Sequence, residues 1–179
     1  MADINIENIV VSAKIAKSLD IDMLAVSIPN SKYNANENPA LIVHFQEPTT
    51  VAMLFSNGKA IFTGLKNMKQ IDEISKKLFD KLNALGIKLY KKPNIKVQNV
   101  VGSLDLKREL DLNALAQLWW LEDIEYEPER FLGLVYKMKN PNATILIFNS
   151  GKIVCTATRL KDMSTAIDKT TDMIPSVGM

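Results

Sequence analysis

Hydrophobic and polar positions along the chain change period several times, and each change marks an element. Residues 4–13 are β-branched and apolar and predict a strand. Residues 19–28 then predict a first helix, with Ser18 or Asp20 as its cap, and Pro29 ends or kinks it. Residues 40–46, 51–55 and 59–63 read as three short antiparallel strands. They are separated by the turn Glu47-Pro48-Thr49 and by Ser56-Asn57-Gly58, whose Asn-Gly pair is a strong hairpin signal. Ile71, Ile74, Leu78, Leu82 and Leu85 recur at spacings of three and four, which gives a long helix one apolar face. Lys69, Lys76, Lys77 and Lys81 stay on or near its solvent side, and Gly86 stops it. Residues 88–90 predict a last strand before the link Lys91-Lys92-Pro93-Asn94.

The same order is then written again. Residues 33–64 lie over residues 126–157 without a gap, pairing Tyr33 with Tyr126, Leu41 with Leu134, Pro48 with Pro141, Phe55 with Phe148 and Gly58-Lys59 with Gly151-Lys152. Upstream, Asn8, Val10 and Ser12 match Asn99, Val101 and Ser103, and an insertion of two residues near Trp119 and Trp120 reconciles the two offsets. Two copies, residues 1–93 and 94–179, are too few for a solenoid and suit a fused pseudo-twofold dimer.

The strands carry an anomaly. Alternate strand residues point to opposite faces, so Ile9, Leu54 and Phe62 face the helices while Val10, Met53, Phe55 and Ile61 face away. The second copy repeats this with Val101, Leu146, Phe148 and Val154. A sheet with helices on one side ordinarily has a polar second face, so this apolar one needs a cover: more of the chain, a partner protein or a ligand with apolar surface. One sheet face can absorb the apolar faces of all the helices, so an external cover is expected. Asn8 with Thr63, and Asn99 with Thr156, add one amide and one hydroxyl per copy to that face. Taken singly these are ordinary strand residues. Repeated amid aliphatic side chains, they suit a DNA minor groove, whose A·T pairs present only acceptors.

Charge modifies the picture little. Net charge is +2, with twelve lysines against nine carboxylates in residues 1–93 and ten basic against eleven acidic side chains in residues 94–179. A DNA surface here has to lean on something other than dense positive charge. With 47% hydrophobic and 23% charged residues the composition is that of a globular protein, and no apolar run approaches the roughly 20 residues of a membrane span. The N-terminus has no signal-peptide pattern, so an intracellular protein away from membranes is expected. One cysteine, Cys155, and one histidine, His44, exclude a disulfide framework and leave too few ligands for zinc. No metal or cofactor is expected.

Residues 6–10 (IENIV), 97–103 (VQNVVGS) and 126–136 (YEPERFLGLVY), with the hairpin segments 54–59 (LFSNGK) and 147–152 (IFNSGK), resemble the signature segments of the TATA-box-binding protein family over nearly the whole chain. The resemblance implies an α+β fold: two pseudo-symmetric repeats forming a curved, saddle-like ten-stranded antiparallel sheet with four helices on its convex face. The short N-terminus looks like the archaeal form, which would place it in cytoplasm or nucleoid; a eukaryotic one would be nuclear. The implied partners are double-stranded promoter DNA, the B-type initiation factor and, indirectly, RNA polymerase, with a homodimer through the apolar face left open when DNA is absent. The family inserts two phenylalanines per repeat between base steps; Phe55, Phe131 and Phe148 match, while Asn38 stands at the fourth position. Lys59, Lys137 and Lys152 match phosphate-contacting positions. His44 and Lys137 stand where arginine is usual and Thr49 and Asn142 where lysine is common, so Lys59 and Lys66 would have to compensate in the first repeat. Glu127 and Glu129 match the partner-binding loop, with Arg130 where an aliphatic residue is common.

Other readings are weaker. Neither Gly58-Lys59 nor Gly151-Lys152 has the glycine spacing of a phosphate loop. Cys155 reads as a buried, inert thiol, the acidic run from Glu122 to Glu129 as a solvated loop, and Trp119 with Trp120 as one core and one rim side chain. Two rival functions remain: a domain attached to a nucleic-acid hydrolase, for which the chain leaves no room, and a divergent paralogue that serves as a regulatory or protein-interaction module.

Overall fold

The computed structural model describes residues 3–119 and 122–175, so Trp120 lies outside the described residues. Two compact units are present, Asn8–Gln98 and Met1–Glu7 with Asn99–Met179. The elements are β1 (Asn5–Lys14), α1 (Ile21–Ser27), β2 (Ser31–Asn34), β3 (Asn38–Gln46), β4 (Thr49–Phe55), β5 (Lys59–Leu65) and α2 (Met68–Ala84), followed by β6 (Ile95–Asp105), α3 (Leu112–Leu118), β7 (Ile124–Glu125), β8 (Gly133–Met138), β9 (Ala143–Phe148), β10 (Lys152–Ala157) and α4 (Leu160–Met173). The strands of the first repeat run in the order β1-β5-β4-β3-β2 and those of the second in the equivalent order β6-β10-β9-β8-β7.

Local chemistry explains where the helices begin and end. Asp20 and Asp111 hold equivalent positions before α1 and α3, and each carboxylate accepts from a backbone N–H of the first turn, Met23 at 3.0 Å and Ala114 at 3.1 Å. Asn67 caps α2 in the same way through Gln70 N–H. At its other end Gly86 takes φ +76°, Ile87 N–H reaches back to Leu82 and Gly86 N–H to Asn83, closing the helix with a Schellman motif. On α2 the side chains of Ile71, Ile74, Leu78 and Leu82 are buried and the helix packs against β5. Each such burial contributes on the order of 1.5–3 kcal/mol, more than the helix gains from propensity. α4 packs likewise on β9 and β10 through Met163, Ala166 and Ile167. Trp119, 5% exposed, lies against the Tyr136 ring at 5.5 Å, which seats the end of α3 near β8.

Three expectations need correction. Residues 88–90 form no strand: Leu89 makes only an isolated bridge to Ala16. The N–H groups of Ile15 and Ala16 donate to Gly58 O and not to this segment, which is joined here by the bond from Tyr90 N–H to Ile15 O at 2.8 Å. The segments before β3 and β8, given no strand by their sequence, pair as the short edge strands β2 and β7. β3 also begins two residues earlier than its apolar pattern, at Asn38. No helix among the described residues is long and apolar enough to cross a membrane.

Candidate nucleic-acid interface

In the unit Asn8–Gln98, Leu41, Val43, Ala52, Leu54, Ala60 and Phe62 are at most 1% exposed and lie under the helices. The alternating positions Val10, Ile42, Val51, Met53, Phe55, Ile61 and Thr63 are half-buried on the other face, with none of the unit's helices above them. Cross-strand register ties this face together: Met53 is opposite both Ile42 and Ile61, and Thr63 opposite Val51. Ile42 and Val51 belong to the face as fully as the residues singled out by sequence. Their strand phases were legible; only the register shows them as neighbours of Met53.

The polar pair in this unit is held by a bulge. Pairing between β1 and β5 runs from Val11 with Phe62 to Ile9 with Leu65, so one extra residue is accommodated on β5. Gly64 sits there with φ +94°, a conformation open to glycine, and its N–H donates to Asn8 Oδ1 at 2.7 Å. The Asn8 amide nitrogen then donates to Thr63 Oγ1 at 3.1 Å. Amide orientation is thus set by the backbone, and the carboxamide and hydroxyl form one half-buried polar spot among aliphatic neighbours.

The unit containing Asn99–Met179 builds its open face from Val101, Val135, Leu146, Phe148, Val154 and Thr156, all half-buried, against buried Leu134, Ile145, Ile147, Ile153 and Cys155. Here the register is unbroken: Thr156 is opposite Val101 and Thr144, and Ala157 takes the place of Gly64. Asn99 is half-buried two residues from Val101, on the same face. Cys155 lies on the helix side, where burial pushes its thiol up to about 12.

Rings stand at the end of the open face in each unit, two in the unit containing Asn99–Met179 and one in the unit Asn8–Gln98. Phe131 and Phe148 meet edge to face at 5.9 Å and 69°, and Phe131 is 41% exposed. Phe55 holds the position of Phe148 in the other unit, at the end of β4 opposite Ala40. Asn38, at the position of Phe131, is turned back on its own strand, its Oδ1 accepting from Ala40 N–H at 3.0 Å.

Exposed cations rim the faces unevenly. Lys137, on the open face of β8, donates to Glu125 across to β7, and this hydrogen bond and charge hold its ammonium above the usual lysine range. His44, at the matching place, is exposed beside Val51. Lys59 and Lys152 are exposed at the starts of β5 and β10. Opposite Lys152 stands Asp105, whereas opposite Lys59 stands Lys14, a residue that sequence reading passed over. Lys14 Nζ donates to Asn57 O in the hairpin beyond Phe55. Thr49 is exposed at the start of β4 and Asn142 in the turn before β9, and Thr49 Oγ1 donates to Gln46 O at 3.1 Å. The loop before Phe131 exposes Glu127, Glu129 and Arg130, with Arg130 paired to Glu127 at 3.0 Å. Among the described residues no group of three or more His, Cys, Asp and Glu side chains is placed to hold a metal ion.

Such a face, twice over, has a counterpart among known proteins. The family described as "Transcription factor TFIID (or TATA-binding protein, TBP)" matches residues 3–85 and 94–177. The chain belongs to this family. It is 42% identical over 177 residues to TATA-box-binding protein E of Halobacterium salinarum, covering 98% of this chain and 95% of that one. To the TATA-box-binding protein of Thermoplasma acidophilum it is 40% identical over 177 residues, 98% of this chain and 96% of that one. The solved structure of the Methanococcus jannaschii TBP superposes with a TM-score of 0.86 at 36% identity, over 97% of this chain and 99% of that one. The family is one of transcription factors and not of enzymes, and its fold is the expected α+β arrangement of ten antiparallel strands and four helices.

Proposed function

We propose that this chain is a general initiation factor that binds TATA-like promoter DNA in its minor groove, bends it by inserting Phe55, Phe131 and Phe148, and recruits the B-type factor and through it RNA polymerase. The two repeats, residues 1–93 and 94–179, each supply one half of the DNA surface. The observation that carries this reading is the second apolar face, present in both units and bearing an Asn and a Thr in each. A minor groove offers such a face apolar sugar edges and, at A·T pairs, only acceptors. Asn8, Thr63, Asn99 and Thr156 meet those acceptors, while Val10, Met53, Ile61, Val101, Leu146 and Val154 cover the sugars. Apolar wedges that unstack a base step and kink the duplex are a known device of minor-groove binders, this family among them.

Phosphate contacts come from Lys59, Lys137 and Lys152, joined by Lys14 on the strand beside Lys59. In the first repeat this pair of lysines supplies positive charge near the face where His44 stands in the place of Lys137. Glu127 and Glu129 face a basic partner surface, with Arg130 partly satisfying Glu127. The test is a fluorescence-transfer bend assay on a TATA-containing duplex, with and without the B-type factor. Bending is expected. If neither the protein nor the mixture bends the duplex, the paralogue reading, a protein-interaction module on the same fold, takes its place.

A further inference from the structure

Each unit has a cavity of about 250 Å³ beside its outermost pair of strands. The two are equivalent. His44 N–H donates to Asn30 O at 3.1 Å in one and Lys137 N–H to Asp123 O at 2.8 Å in the other, while Lys32 stands opposite Ile42 as Glu125 stands opposite Val135. Their charges differ. Glu122, Asp123, Lys137 and Lys139 line the second-repeat cavity, and Lys137 donates to a third carboxylate, Glu125. The first-repeat cavity is lined by Asn30, Ser31, Lys32, His44 and Gln46, with no carboxylate among them.

A charged side chain on an edge strand discourages pairing with another chain whatever its sign. That explains a charge at both positions and not the reversal of sign. Glu125 has a partner to explain it: it is diagonal to Lys137 across the ladder and accepts its hydrogen bond. Lys32 is diagonal to His44 in the same way, on the open face, and is exposed. Among the described residues no group pairs with its ammonium. Its neighbours in the cavity offer donors, since a carboxamide has two N–H groups and an imidazole at least one in either protonation state. A cation without a carboxylate, set among N–H donors, suits an anion.

The place of the cavity selects that anion. The apolar face to which Ile42 belongs covers sugar edges in the minor-groove reading, and the phosphates of a duplex border that groove on both sides. We propose that a DNA backbone phosphate seats in this cavity, with Lys32 supplying the charge and Asn30, His44 and Gln46 the further N–H donors. This assignment rests on the minor-groove reading above. Lys32 then does in the first repeat what Lys137, held by Glu125, does less freely in the second.

The test is a fluorescence titration of the full chain on a palindromic A·T-rich duplex, whose two ends are the same in either binding direction. Lys32→Gln is expected to weaken binding roughly three- to tenfold at low salt and to make the log–log salt slope shallower by about 0.9. Lys81→Gln, exposed on α2, is expected to leave both unchanged, and urea unfolding checks that each variant is folded. Contact is read with methylphosphonate linkages, which are neutral, placed symmetrically at one phosphate position after another toward the two ends. At one position or more the loss of affinity is expected to be smaller for Lys32→Gln than for wild type, by about the factor that Lys32 contributes. If wild type binds and bends the duplex while Lys32→Gln matches its affinity and slope, the assignment is overturned and the minor-groove reading stands. If Lys32→Gln binds more weakly but every neutral linkage weakens it as much as wild type, the charge acts at a distance and no phosphate sits in the cavity. If wild type neither binds nor bends the duplex, the minor-groove reading falls and the assignment with it.

Discussion

At the scale of single residues, neighbours decide what a side chain is free to do. Lys137 has the position and exposure of a phosphate contact, yet it donates to Glu125, and to reach a phosphate it must leave that carboxylate. Glu125→Gln removes the competing charge. Tighter DNA binding, by roughly two- to fivefold at low salt, is expected, since exposed pairs of this kind are weak. The log affinity against log salt slope should steepen by about one contact's worth, near 0.9. Fluorescence titrations at several salt concentrations check this; unchanged affinity and slope would mean that Lys137 stays off the phosphates. Cys155 makes a different point. Its thiol, ordinarily near 9.0, is pushed up to about 12 by burial, so above pH 9 the unfolded chain releases a proton that the folded chain retains. Stability is therefore complete below pH 9 and declines as pH rises toward 12, by up to about 1.4 kcal/mol per pH unit for one group. Tyr136 adds a similar decline, since burial and its hydrogen bond to Glu122 raise it from 10.0 to about 12. Cys155→Ala, less stable throughout, should show a slope shallower by about one proton, measured by urea unfolding at stepped pH.

Among the elements, those with their own apolar period were legible and those that borrow their structure were not. The spacing of Ile71, Ile74, Leu78 and Leu82 defines α2 by itself, and Asn57-Gly58 announces the β4–β5 hairpin without help from elsewhere. β2, with the sequence SKYN, has no such period and exists because the β3 edge offers hydrogen bonds to it. The open-face residues were legible for the same reason as the strands: alternation alone sorts Met53 from Leu54. Lys14 was not, because a lysine ending a strand is ordinary until register sets it across from Lys59. The bulge at Gly64 was hidden too, since a glycine in a strand signals close approach or a bulge without saying which. It yields a prediction about β5. In Gly64→Ala the new Cβ would lie 3.1 Å from Thr49 O, on a backbone at φ +94° that alanine resists. Loss of about 1–2 kcal/mol in unfolding free energy is expected, along with release of the Asn8 amide from its backbone donor. DNA binding should then weaken beyond what a matched destabilising change in the core produces. A variant that unfolds early but binds like wild type would show that Asn8 needs no such alignment.

The whole molecule is a duplicated scaffold with unequal equipment. Strand order, helix caps and alternation repeat between the units, while the second ring, the Gly64 bulge and the lysine–lysine neighbours each belong to one unit only. Besides Lys32, four exposed lysines are proposed as phosphate contacts, Lys14, Lys59, Lys137 and Lys152, and one of them is held by a carboxylate. Counterion release from so few contacts predicts a log–log salt slope of roughly −3 to −4, where a heavily charged binder approaches −10. The remaining affinity has to come from covering apolar surface that the fold leaves open in both units. Burial of that surface has its own signature, a large negative heat-capacity change on binding. Calorimetry on a TATA duplex at several temperatures, run beside the salt series, measures both quantities on one preparation. A shallow slope with a strongly negative heat-capacity change is expected. A slope steeper than about −8 with a heat-capacity change near zero would assign the binding to charge, and the second apolar face would then need another cover.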